Sequence, residues 1–177
     1  MTYRNNDERL KYVVDTINNI IEFDCQNYLQ KVFSLDAIIL NDDRHFHNLG
    51  FIQDDDGSFK EAPIFDNGRG LLSDLSRYPN YNSLTANKKL VVGSPICANL
   101  ETQAALVGFN FSLKTSAFMD WINAERMKYD ESLYYKRAFD VLESQINYYF
   151  PDETKEKPSN TKKNFIEIDE DEELEYY

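Results

Sequence analysis

The chain has 177 residues, 42% hydrophobic and 14% aromatic, which is enough for one globular domain with a substantial core and too apolar for a disordered chain. Its net charge of −12 argues against general affinity for a nucleic-acid backbone, since that affinity comes from Lys and Arg neutralising phosphates. Cys25 and Cys97 stand far apart and outside any zinc or C-x-x-C spacing, which suggests neither a disulfide framework nor a structural zinc site and fits a reducing, intracellular setting.

The first 25 residues show no charged segment leading into an apolar one, and no apolar run approaches the roughly 18 residues of a membrane span. A cytoplasmic protein without membrane contact is therefore expected. In "NNDERLKYVVDTINNIIEF" the apolar residues Leu10, Val13, Val14, Ile17, Ile20 and Ile21 recur at three and four positions, behind a cap-like pair of Asn5 and Glu8. This predicts a helix over 6–22. A second helix is predicted over 24–40, with Tyr28, Val32, Leu35 and Ile39 in one stripe and Leu29, Phe33 and Leu40 widening it; so broad an apolar face implies burial.

"NDDRHFHN" follows, residues 41–48, too polar and too rich in Asn and Asp to continue a buried helix, so a loop is expected. "LGFI", "QDDDGS" and "FKEAPIF" then read as strand, turn and strand. Residues 67–114 mix turn formers with short apolar runs; a short strand is expected at 89–92 and a helix at 100–107, in an irregular segment of a length that is usually functional or mobile. Helices are expected over 116–128, with Ala117, Phe118, Trp121, Ile122 and Ala124 inward, and over 131–150, capped by Asp130, with Tyr135, Ala138, Phe139, Leu142, Ile146 and Tyr149 inward and Pro151 as the stop. The stretch 151–177 carries ten acids and four bases, half of the net charge, and reads as a disordered acidic tail, either solubilising or suited to a basic partner. The division is thus 1–150 as one domain and 151–177 as tail, and the fold class is mainly α (α+β) with one small antiparallel hairpin.

Two short motifs carry the chemistry. Asp43 and Asn48 match the D-x-x-x-x-N of a kinase catalytic loop, where the carboxylate takes or orients the proton of the accepting hydroxyl and the amide oxygen ligates magnesium. A tight loop can hold those two groups a few ångströms apart. Asp66 in "IFDNG" is expected to end the second strand, ahead of a glycine turn, matching the metal-binding D-F-G in position and chemistry. Magnesium takes hard oxygen ligands and keeps several waters, so Asn48, Asp66 and nucleotide phosphates suffice to hold it. Either motif alone is commonplace. Their order, a buried helix, an Asp/Asn loop, a hairpin and then "FDNG", is that of a kinase C-terminal lobe.

Over residues 33–72 the chain resembles the HipA-like serine/threonine kinases, including the CtkA-type proteins, in which an N-x-D-R-H-x-x-N loop precedes Pro, an apolar residue, an aromatic residue and Asp. Here these are Asn41 to Asn48 and Pro63 to Asp66. The resemblance implies a kinase-like C-terminal lobe with ATP and Mg2+ as cosubstrate and cofactor and a protein Ser/Thr hydroxyl as acceptor. It assigns Asp43 as catalytic, Arg44 and His45 as loop support, and Asn48 and Asp66 as metal and nucleotide ligands, and it brings a toxin–antitoxin setting into view. One departure matters: no glycine precedes Gly50, so the phosphate-covering loop and lysine of an N-lobe cannot be placed. Either the chain is a C-terminal fragment of such a kinase, or a separate N-lobe or regulatory protein completes it; the alternative is a noncatalytic nucleotide-binding or protein-interaction remnant.

Other features have blander readings. His45 and His47 form H-x-H, and a hydrolase using both with Asp43 and Asp66 on a transition metal is a weaker option; a loop hydrogen bond for His45 is the simpler role. Arg69 in "DNGRG" could touch phosphate or be solvated. Ser73, Ser76 and Tyr78 read equally as phosphosites and as ordinary loop residues.

Overall fold

The computed structural model describes residues 5–129 and 131–151; the expected cap Asp130 and the stretch 152–177 lie outside them. The described chain is mainly helical with one two-stranded antiparallel sheet, in the order α1 (Asn6–Ile21), α2 (Gln26–Ile39), a 3-10 turn (Phe46–Asn48), β1 (Phe51–Gln53), β2 (Phe59–Glu61), α3 (Leu84–Lys88), α4 (Leu100–Leu106), α5 (Thr115–Lys128) and α6 (Leu133–Tyr149). Among the described residues, no helix is long and apolar enough to cross a membrane.

Helix α2 is the axis of the molecule because apolar residues nearly encircle it. One side, with Tyr28, Leu29, Val32 and Phe33, packs against Val13 of α1, Ile96 and Val107. The other, with Ala37 and Leu40, meets Leu72, Tyr78, Leu100, Ala104 and Val141. Full burial of each such side chain stabilises by about 1.5–3 kcal/mol. Gln145 of α6 fastens the end of α2 with a 2.8 Å bond from Nε2 to the Ala37 carbonyl. Burial pushes the Cys25 thiol, at the start of α2, up to about 11, so it stays protonated and inert at neutral pH.

Several expectations need correction. Residues 89–92 form no strand; the ordered piece is α3 just before them, capped by Ser83, whose Oγ accepts from the Ala86 amide. Helix α6 starts two residues later than expected, with Ser132 at its cap. Tyr135 faces solvent, while Phe139, Val141 and Ile146 are buried. On α5 only Ile122 is fully buried and Trp121, Ala117 and Ala124 are exposed, because α5 packs on α6 at the periphery and its apolar side is only partly covered.

Gln103 replaces the missing strand as an organiser of the irregular segment. Its Oε1 accepts from the Ile96 and Cys97 amides and its Nε2 donates to the Ser94 carbonyl, which pins the turn at 94–97 to α4. Gly93 closes that turn so tightly that a Cβ there would lie 2.9 Å from the Cys97 carbonyl oxygen and 3.1 Å from the Leu100 nitrogen. Both are backbone atoms that cannot rotate away. Gly93→Ala is expected to lower stability by about 1–3 kcal/mol, measured as a lower urea midpoint at unchanged m.

Candidate functional site

The loop at 41–48 begins where α2 ends. Leu40 takes a left-handed conformation, φ 54°, which stops the helix, and the Asp36 carbonyl accepts the Asn41 amide at 3.0 Å. Asn41 Nδ2 bonds the Asp36 carboxylate at 2.9 Å, and its Oδ1 faces the Asp43 amide at 3.4 Å. From there burial alternates, with Asp42 and Arg44 inward and Asp43 and His45 outward. The polarity of the loop therefore does not mean exposure: Asn41, Asp42, Arg44 and Asn48 are all buried.

Arg44 accounts for this. Its side chain is 0% exposed and so is that of Asp36. Nε and Nη2 each lie 2.9 Å from a different Asp36 oxygen, a two-pronged arrangement suited to a carboxylate. Nη1 bonds the Phe65 carbonyl at 2.8 Å and reaches the Asn48 carbonyl at 3.3 Å, and Nη2 also bonds Asn67 Oδ1. One guanidinium thus joins the end of α2, the loop and the "FDNG" segment. Burial raises the Asp36 carboxyl above its ordinary value, and the Arg44 hydrogen bonds and charge, with the Asn41 amide, pull it back.

Asp66 is placed by its neighbours. Arg44 holds the Phe65 carbonyl before it and the Asn67 side chain after it. Strand β2 stops at Glu61, so Asp66 does not end a strand as expected, and Asp66 itself, not a glycine, takes the positive φ of 57°. The hairpin seats against Phe65 at Gly50, where a Cβ would come 3.0 Å from the Phe65 ring. Asp66 is exposed, and its carboxylate makes no hydrogen bond or ion pair among the described residues.

Asn48 donates Nδ2 to the Asp43 carbonyl at 3.4 Å, which leaves Oδ1 as its unengaged end. The Asp66 carboxylate and the Asn48 amide oxygen are hard oxygens of the kind magnesium takes; Arg44 holds the Asn48 carbonyl and, on the other side, the Phe65 carbonyl and Asn67 side chain that flank Asp66. Asp43 is 49% exposed at its side chain, and its nearest cation is Arg69 Nε at 3.9 Å.

His45 and His47 are exposed and meet edge to face, ring centroids 5.4 Å apart; His45 makes no side-chain hydrogen bond among the described residues, and no group of three His, Cys, Asp or Glu converges there as a metal site. Arg69 is paired, lying 3.4 Å from Asp42 Oδ1 and from Asp74 Oδ2. Ser73 Oγ donates to the Gly68 carbonyl and Ser76 Oγ to Asp74, which holds the Asp74 carboxyl below the usual range. Tyr78 is fully buried with its hydroxyl on Asp42, so it is a core residue in this conformation.

Sequence reasoning passed over Asp36, Asp42 and Asn67. Asp36 had a legible signal: an acid among the apolar residues of a buried helix requires a cationic partner. Asp42 and Asn67 had none, because their partners are set by long-range packing. No family model, curated protein or solved structure matches the chain.

Proposed function

We propose that the chain is the C-terminal catalytic lobe of a HipA-like serine/threonine kinase. The observation that carries this reading is Arg44, which ties the Asp43–Asn48 loop to the Asp66 turn, with the Asp66 carboxylate exposed at one end and the half-exposed Asp43 carboxylate, 3.9 Å from Arg69 Nε, at the other. Asp43 points outward to meet a protein Ser or Thr hydroxyl, orients it and takes its proton. The hydroxyl oxygen bonds the γ-phosphorus of ATP as the bond from that phosphorus to the β,γ-bridging oxygen breaks, releasing ADP. Asn48 and Asp66 would hold magnesium, which neutralises charge on the phosphates when bound. Residues 1–40 contain no glycine, and the described part of them is mostly helical, so this reading leaves the contacts covering the phosphates to an N-lobe outside this stretch or to a regulatory protein. Cytoplasmic location and a toxin–antitoxin setting belong to the same reading.

Calorimetry of Mg-ATP binding tests it. The wild type is expected to bind only with magnesium, and Asn48→Ala and Asp66→Ala are each expected to weaken binding by tenfold or more while remaining folded. Magnesium-independent binding, or binding unchanged in both variants, would overturn the metal assignment. Binding without ADP formation in the presence of a supplied N-lobe would assign the noncatalytic role instead.

A further inference from the structure

We propose that Asp42 and Tyr78 are positioning residues for Asp43, coupling the segment 69–80 to the loop that carries it; this rests on the reading of Asp43 as the acceptor base. Asp42 is an acid whose side chain is wholly buried, beside a neighbour that faces solvent. Tyr78, also fully buried, donates its hydroxyl to Asp42 Oδ2, and Arg77 Nη1 lies 2.9 Å from the same oxygen. Asp42 Oδ1 has only Arg69 Nε near it, at 3.4 Å and without hydrogen-bond geometry, so both atoms remain without a hydrogen-bond partner. A buried carboxylate so dependent on one segment is strongly sensitive to that segment's position.

The geometry converts this into control of Asp43. In an extended stretch adjacent side chains point to opposite sides. Asp43 stands between Asp42, fixed inward by Tyr78 and Arg77, and Arg44, fixed inward by Asp36. Anchoring both neighbours sets the direction of the residue between them. Arg44 alone supplies one anchor.

The segment at the other end of the coupling is under strain. Leu71 and Leu72 both take positive φ, 59° and 56°, a conformation unfavourable for residues with a side chain. They are kept there by the bond from the Leu71 amide to the Ile39 carbonyl, at 2.6 Å, by burial of Leu72, and by Arg137 of α6, which donates to the carbonyls of Leu72 and Tyr78 and to Asn80 Oδ1. Release of Tyr78 from Asp42 would remove the hydrogen bond from this strained segment to the buried carboxylate and leave only the partly exposed Arg77 and Arg69 beside it.

Amide hydrogen exchange on the full chain, comparing wild type with Tyr78→Phe, decides the matter. The variant keeps the buried ring and removes only the hydroxyl. Exchange is expected to accelerate at least tenfold at residues 71–80 and also at 42–45, with protection in α2 and α6 unchanged. Where phosphotransfer is measurable, kcat is expected to fall at least tenfold with KM for Mg-ATP within twofold. Unchanged exchange at both stretches, or acceleration confined to 71–80 with kcat unaltered, would overturn the coupling and leave Tyr78 a packing residue. Should Tyr78→Phe lose protection throughout, Arg77→Met, at a partly exposed position, decides by the same two stretches. A wild type that fails to bind Mg-ATP sinks the kinase reading, while the exchange comparison still decides whether the two segments are coupled.

Discussion

Arg44→Leu is expected to destabilise the protein by about 3–5 kcal/mol, because it leaves the Asp36 carboxylate buried without its counter-charge. The loss extends to the Phe65 and Asn48 carbonyls and the Asn67 amide, which all rely on the same guanidinium. Its pH dependence identifies the cause. Asp36 already has a carboxyl raised above 3.8 by burial, and without Arg44 nothing cationic opposes that rise. The folded variant therefore binds a proton more tightly than the unfolded chain, so stability is lost as pH rises from about the unfolded carboxylate value through the raised folded one. Urea unfolding of the variant should show its smallest deficit near pH 4 and its largest at neutral pH. A deficit that does not vary with pH would mean that lost packing, not an uncompensated charge, is responsible. The double variant Asp36→Leu with Arg44→Met is expected to be more stable than Arg44→Leu alone, since removing both charges removes the desolvation cost.

On the proposed reading of Asp43 as acceptor base, Asp43→Asn is expected to have the largest effect on turnover. An amide accepts no proton at neutral pH, and losing a positioned general base typically costs about 10²–10⁴-fold. Stability should barely change, because the Asp43 side chain is half exposed and its nearest cation is 3.9 Å away. Mg-ATP affinity should likewise hold, since Asn48 and Asp66 are untouched. The measurement is steady-state transfer from labelled ATP to a peptide hydroxyl, with an N-lobe supplied. Turnover within threefold of wild type in Asp43→Asn would remove Asp43 from the chemistry. A matched fall in nucleotide affinity would make it a ligand.

Helices α1 and α2 were legible because apolar spacing at three and four residues is a local pattern, and the Asp-Gly turn between two short apolar runs marked the hairpin for the same reason. Asn5 was legible as a cap, and it does accept the Glu8 amide at 2.9 Å. The expected strand at 89–92 failed for the converse reason: a short apolar run is compatible with several states, and no strand lies beside it among the described residues for it to pair with. Tyr135 has core spacing on α6 yet faces solvent, because a period shows which residues share a face and not whether a neighbour covers it.

By itself the sequence determined which groups are available at the candidate site: Asp43, Asn48 and Asp66, in that order, on a loop after a buried helix and on a turn after a hairpin. Only the tertiary structure decided how they are held. Asp36 and Arg44 are eight residues apart, and Asp42 and Tyr78 thirty-six. The local pattern marks at most that Asp36 needs a cation and not which one, because each pair becomes favourable only when packing of α2, the hairpin and α6 removes its charges and hydroxyls from water. Burial makes those partners obligatory, and in doing so turns a polar stretch that looked like a solvated loop into the anchored support of Asp43 and Asp66.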